Sequence, residues 1–178
     1  MSIGLIRETV TLEPHCEEWE LAAEKLIEVL KDTLKVDIVD AQHIGSTSIK
    51  NIMAKPIIDI VVGVTGFDKI LKYNDILYAK GIFYRRQDHP GQYLYVCSDE
   101  ENKYQTHYIH VVIWGEDAWN NYINMRDYLN THNEQAIEYS TLKQNLALKY
   151  PNDRIAYTNG KSSFIENILI TAKEWKKL

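Results

Sequence analysis

The stretch His43–Val64, HIGSTSIKNIMAKPIIDIVVGV, sets a Gly45-Ser46 turn ahead of a β-branched run that one carboxylate, Asp59, interrupts. A short Gly-Ser turn leaves room for close approach and exposes several backbone N–H donors. A helix starting after it would add the pull of its dipole. Such backbone can hold phosphate oxygens. A lone carboxylate in an apolar run is costly to bury, because Val, Ile or Leu would fill the place without desolvating a charge. Asp59 therefore implies either a strand end open to a cleft or a compensating cation, and it can hold a metal ion. Turn and acid together point to phosphate chemistry.

Working outward, Pro14 suits the first turn of a helix, and Trp19, Ala22, Ala23, Leu26, Ile27, Leu30 and Leu34 recur at helical spacing. Residues 36–41 can form a strand leading into the turn. Residues 56–64 form a second strand, central and buried on both faces. Residues 67–80 read as a helix with Phe67, Ile70, Leu71 and Leu77 inward, and Gly81 stands where a left-handed cap residue belongs. Strands follow over 81–86, 92–98 and 105–113, antiparallel neighbours joined by the turn-like QDHPG and DEEN segments. Three helical stretches close the chain: 117–130, marked by Trp119, Tyr122, Ile123 and Leu129; 134–150, marked by Ile137, Leu142 and Leu146; and 162 onward, marked by Phe164, Ile165, Ile168, Leu169 and Ala172. The expected class is α+β, a mixed sheet first and helices last, in a single domain over residues 1–178.

Composition agrees with a soluble globular protein, 45% hydrophobic and 25% charged over 178 residues. Lys+Arg 20 against Asp+Glu 25 leaves a net charge of −5, which argues against a surface that coats nucleic acid while allowing a local basic pocket. No run approaches the roughly 18 to 20 apolar residues of a membrane span. The N-terminal MSIGLIRETVTLEP lacks the apolar core of a secretory signal, so a cytoplasmic location is expected. Cys16 and Cys97 lack the spacing of a zinc site or redox pair and read as reduced structural thiols.

Four separated motifs, HIGSTSIKNIMAKPIIDIVVGV, HYIHVV (107–112), MRDYLNTH (125–132) and AYTNGKSSFI (156–165), together resemble the GrpB family, an uncharacterised protein family with a nucleotidyltransferase-like fold. The resemblance covers nearly the whole chain. It implies a Gly-Ser turn, then a strand carrying two carboxylates separated by one residue, then a third carboxylate on a later strand. Gly45, Ser46 and Asp59 match that pattern. Val61 stands where the second carboxylate belongs, and the later strand offers His110. Two Mg²⁺ ions about 4 Å apart need several shared carboxylate oxygens, so this set would hold one divalent ion, Mg²⁺, Mn²⁺ or Zn²⁺. Imidazole with carboxylate suits the last two better.

Each candidate also has a plain structural use. Ser46 can close a turn and cap the next element, and Asp59 can accept from backbone N–H groups or pair with Lys55. His43, His107 and His110 can be satisfied polar residues on half-buried strands. Three apart on a strand, His107 and His110 face opposite ways, and His110 is the one carried by the family motif. Lys161, after Gly160, can swing toward a bound phosphate or remain a solvated first-turn lysine that the helix dipole mildly opposes. The GxxxxGK[ST] spacing of a P-loop is absent. Arg126 can bind a ligand or pair with Asp127 and its surroundings, and Lys55 can bind phosphate or only water. In YRRQDHPGQYLYV (84–96), consecutive Arg85 and Arg86 cannot share a face, and protection of an edge strand explains them as well as nucleic acid does.

Two functional readings follow. In the first, the chain is a nucleotidyltransferase-like enzyme that binds a nucleoside triphosphate or related phosphate compound and passes a nucleotidyl group to an acceptor. Gly45 and Ser46 cradle phosphates, with His43, Lys55, Arg126 and Lys161 as further ligand contacts. Asp59 and His110 act in catalysis and hold the metal ion; in the alternative, His43 or His110 instead deprotonates the acceptor. In the second, the chain is a non-catalytic nucleotide- or coenzyme-binding module of the same fold. Either is compatible with a monomer or a homodimer.

Overall fold

The computed structural model describes residues 3–99, 101 and 103–177, with the side chains of 86–89 set aside. Its centre is the β-branched run around Asp59. This forms strand β5 (Ile58–Val64), in which Ile58, Ile60, Val61, Val62 and Val64 are fully buried. Burial on both faces requires cover on both sides, and the chain supplies it from two groups of helices.

Eight strands are described: β1 (Leu5–Ile6), β2 (Glu13–Pro14), β3 (Ile38–Ile44), β4 (Met53–Ala54), β5, β6 (Ile82–His89), β7 (Gln92–Ser98) and β8 (Tyr104–Ile113). The main sheet runs β3-β5-β8-β7-β6, with β1 pairing the start of β8, while β2 and β4 form a separate short pair. β5 and β8 are parallel and the other neighbours antiparallel, so the expected mixed sheet is present, and β6, β7 and β8 are joined as antiparallel strands. Seven α-helices accompany these strands among the described residues: α1 (Glu17–Leu34), α2 (Phe67–Leu71), α3 (Asn74–Ala79), α4 (Asp117–Thr131), α5 (Asn133–Lys149), α6 (Arg154–Asn159) and α7 (Ser162–Trp175).

One face of the sheet carries Ile58, Ile60, Val62, Ile109 and Val111 and packs against Trp19, Ala23, Leu30 and Leu34 of α1 with Ile70 and Leu77 of α2 and α3. The other carries Ile44, Val61 and Val112 beneath Trp119 of α4. Beside this second face, α4, α5 and α7 share a cluster with Ile49 and Ile52.

Several boundaries differ from expectation. Pro14 pairs with Met53 in the short sheet, and α1 begins at Glu17. Val36 and Asp37 lie in a 3₁₀ turn, so the strand before the Gly-Ser turn runs over Ile38–Ile44. The helix expected over 67–80 is two, divided at Lys72 and Tyr73. The Tyr73 hydroxyl donates to Asp37 and to the Leu34 carbonyl, and the Lys72 ammonium pairs with Asp37 at 2.7 Å. Leu71 is exposed as a result, whereas Gly81 does take the left-handed conformation, φ +76°. On α5 the buried stripe is Ala136, Tyr139, Ser140 and Lys143, and Ile137 faces solvent. No helix among the described residues is long and apolar enough to cross a membrane.

Candidate functional site

Where β3 ends, Gly45 turns the chain with φ +71°, a left-handed conformation that costs an L side chain energy. A Cβ at Gly45 would stand 2.9 Å from Asp59 Cβ and 3.0 Å from its Cγ, so the turn is pressed directly on the carboxylate. After it, Ser46–Ser48 form a single 3₁₀ turn rather than an α-helix. The Ser48 hydroxyl donates to the Gly45 carbonyl at 2.7 Å and locks this shape.

Asp59 is the second residue of β5 and sits opposite Ile44 in register. Its side chain is 29% exposed, so the acid stands at a strand end open to a cleft, the first of the two alternatives its sequence context allowed. His110 Nε2 lies 3.4 Å from Asp59 Oδ1. On the far side of the ring, the Gln92 amide approaches Nδ1 at 3.2 Å, and the Tyr122 hydroxyl donates to Gln92 Oε1 at 2.8 Å. That order of donors assigns the Gln92 NH₂ to Nδ1 and points the Nε2–H at Asp59.

The cleft widens into a cavity of about 500 Å³ whose wall includes Gly45, Ser46, Lys55, Asp59, His110, Arg126 and Lys161. Lys55 and Lys161 lie with their ammonium groups 5.1 and 4.8 Å from the centre of the same ring, Tyr157 of α6. Burial, reinforced by the charges of Lys161 and Arg154 and partly offset by Asp59, brings the Lys55 amine down to about 7. Lys161 occupies the N-cap position of α7. Arg126 is largely committed to the fold: it donates to Asp127 Oδ1, Gln42 Oε1 and the His43 carbonyl. The opposite wall is apolar, with Ile44, Ile49, Met125 and Ile165.

His43 departs from expectation. In the β3–β5 register it opposes Ile60 while Ile44 opposes Asp59, so its ring lies on the helix-α1 face and not in the cavity. There its Nε2 is 2.9 Å from the buried Thr47 hydroxyl, and burial lowers its pKa to about 4. It braces the turn from behind and cannot touch a ligand in the cavity or deprotonate an acceptor there. His107 shares that face, as the alternation of β8 requires, and is likewise brought to about 4 by burial. Arg85 is exposed beside a bulge of the edge strand β6, and the side chain of Arg86 lies outside the described residues. The two cysteines are free thiols, with Cys97 pushed up to about 12 by burial.

Gln92, Tyr122 and Tyr157 line the cavity without having been singled out in the sequence, and Lys143 lies buried outside its wall. Lys143, 1% exposed, donates to the Met53 carbonyl and lies 4.5 Å from the Tyr139 ring centre. Its signal is a lysine at the helical spacing of Ala136, Tyr139 and Ser140, readable only once that stripe is known to be the buried one. Among the described residues no group of three His, Cys, Asp or Glu side chains converges on a metal position. Asp59 and His110 could still supply two ligands, since a 3.4 Å separation fits two donors each about 2.1 Å from a shared ion. Rotating the Gln92 amide would then offer its oxygen to Nδ1–H and free Nε2 for the ion.

A family model described as GrpB protein matches residues 9–170. The glutamate-rich protein GrpB of Alkalihalophilus pseudofirmus is 39% identical over 94% of this chain and 98% of its own length. The UPF0157 protein YqkA of Bacillus subtilis is 32% identical over 90% of this chain, which spans only 46% of YqkA. Among solved structures, conserved protein GrpB from Enterococcus faecalis superposes with TM-score 0.85 at 28% identity, covering 93% of this chain and 99% of that one. The Cid1 poly(U) polymerase matches with TM-score 0.51 at 14% identity over 76% of this chain and 42% of its own, a likeness of fold alone that places the sheet and its helices in the nucleotidyltransferase-like class.

Proposed function

The chain belongs to the GrpB family, and from that premise and the chemistry of the cavity we propose that it binds a nucleotide or related phosphate compound beside the Gly45-Ser46 turn. The observation that carries this reading is the pair of ammonium groups, Lys55 and Lys161, brought over one tyrosine ring in the wall of a cavity that also holds Asp59. Two like charges placed together in a partly buried pocket repel, and an anion between them relieves both. The apolar wall of Ile49, Met125 and Ile165 suits the uncharged part of such a ligand.

Asp59 and His110 would hold one divalent ion, Mg²⁺, Mn²⁺ or Zn²⁺, with ligand oxygens completing its shell. When bound, the ion would polarise a phosphoryl oxygen. In the catalytic form of the reading, an acceptor hydroxyl gives up its proton to solvent, its oxygen attacks the α-phosphorus of a nucleoside triphosphate, the bond to the bridging oxygen breaks, and pyrophosphate leaves. Lys161 and Lys55 neutralise the charge on the leaving group. The non-catalytic reading draws on Val61. This residue is fully buried with Ile44 and Val112 beneath Trp119, so the place where a second carboxylate would stand is part of the core.

The test is thermal melting with nucleoside mono-, di- and triphosphates, each with and without Mg²⁺, Mn²⁺ or Zn²⁺, on the wild type and Asp59→Asn. A ligand at a hundredfold excess over its Kd adds about 2.7 kcal/mol, a shift of several degrees. Binding is expected in both proteins, with the metal-dependent part of the shift lost in Asp59→Asn. A shift insensitive to metal in both, without pyrophosphate release, selects the binding module. No shift with any phosphate compound overturns the proposal.

A further inference from the structure

Lys143 is used by nothing described so far. An apolar side chain would fill its place on α5 without desolvating an amine, and one hydrogen bond to the Met53 carbonyl is a small return for that cost. The charges that act on it are of its own sign: Lys55, which follows β4, and Lys161, at the start of α7. The rings against it are Tyr139 of α5 and, under the other two lysines, Tyr157 of α6. Asp59 is the acid that acts on Lys55, and it lines the cavity beside His110. Among the described residues no carboxylate is ion-paired with Lys55, Lys143 or Lys161, although nine ion pairs occur elsewhere and at Asp59. Lys55 and Lys161 thus share the Tyr157 ring, Lys143 stands behind Tyr139 of the same cavity wall, and among the described residues none of the three is ion-paired with a carboxylate.

Resting on the reading of the cavity as a phosphate site, we propose that Lys143 is a third cation of that site, and that the group it helps to hold is a di- or triphosphate chain rather than a single phosphate. Lys143 is not part of the cavity wall. It is a positioning residue behind Lys55: its bond to the Met53 carbonyl, two residues earlier in the chain, fixes the backbone that carries Lys55, and its charge adds to the field of the pocket from outside the wall. A single phosphate brings about two negative charges at most, too few to balance three ammonium groups, whereas each further phosphate adds to the match. Burial, with the charges of Lys161 and Lys55, holds Lys143 at about 6, and burial, with the charges of Lys161 and Arg154, holds Lys55 at about 7. A polyanion cancels the like-charge repulsion and, by pairing with the ammonium forms, compensates their burial, so binding takes up protons near and above neutral pH.

The experiment is calorimetric titration at pH 8 with inorganic phosphate, pyrophosphate and tripolyphosphate, in two buffers of different ionisation heat, on the wild type, Lys143→Met and Lys55→Met. Affinity is expected to rise with chain length, with uptake of more than about one proton per tripolyphosphate by the wild type. Lys143→Met should bind tripolyphosphate roughly tenfold more weakly and take up fewer protons, yet melt at or above the wild-type temperature, because it removes a buried amine without opening a cavity. A lower melting temperature with unchanged affinity and proton uptake would make Lys143 purely structural. Binding that is equal for all three anions and insensitive to Lys143→Met would overturn the third cation while leaving the phosphate site intact. No binding of any anion by the wild type or by either variant removes the underlying site as well. Should Lys143→Met not fold, the wild-type proton count decides alone, and uptake of about one proton or fewer rejects the proposal.

Discussion

The contact between Gly45 and Asp59 is one backbone unit against one carboxylate, and it has a direct consequence for substitution. Gly45→Ala adds a methyl group where Asp59 already sits and does so at positive φ, so two penalties coincide. We expect a loss of about 2–3 kcal/mol in urea unfolding, together with loss of any metal-dependent stabilisation, as Asp59 is pushed from His110. Loss of stability alone would separate the turn from the chemistry. Both residues are legible in the sequence because the side chains themselves are the signal: no Cβ in a turn, and a charge in an apolar run. His43 is not, because its direction depends on which β5 residue it opposes, and a shift of one place in register reverses it. Lys143 is hidden for a related reason, since a helical lysine ordinarily reads as solvated until the helix's neighbours are known.

At the scale of elements, the face covered by α1 carries two imidazoles, His43 and His107, that form no ion pair among the described residues and are each brought by burial to about 4 from an ordinary 6.5, with Asp59 only partly offsetting it. The native state therefore holds fewer protons than the unfolded chain between those values. Stability is full above pH 6.5 and is lost as pH falls toward 4, by up to about 3 kcal/mol per histidine. Urea midpoints at pH 7, 5.5 and 4.5 should decline in that order, and imidazole proton resonances should show both rings neutral until about pH 4. Titration of either ring near 6.5 would remove it from the account. Long elements were readable from periodicity, and with them the order of strands and helices along the chain; the order of strands within the sheet was not. The helix α6 was not: its six residues are too few for a period, and Pro151, Asn152 and Asp153 give turn signals. Asp153 nonetheless caps it, accepting from the Ala156 N–H at 2.9 Å.

Over the whole molecule, Arg154 of α6 joins parts remote in sequence, donating to the Ile6 and Thr9 carbonyls, to Gln105 Oε1 and to the Tyr108 hydroxyl on the cavity wall. Arg154→Met is expected to cost about 2–4 kcal/mol and to speed amide exchange at Gly4, Arg7 and Val10, whose N–H groups bond Pro56, Lys103 and Pro151. Unaltered exchange there would show that the N-terminal segment is held without it. Such long-range stitching leaves no local pattern, which is why the short strand β1 and its contacts carried no signal in the sequence. The opposite margin of the sheet has its own significance. β3 is the last strand on that side, and Asp40 engages its own neighbours, taking the Ala41 N–H at 2.8 Å and the Gln42 amide at 2.7 Å while facing Lys31 at 3.7 Å. A strand arriving from another molecule would meet a fixed carboxylate and would have to displace these bonds before it could pair. Stacking of further strands along that margin is therefore expected to be disfavoured.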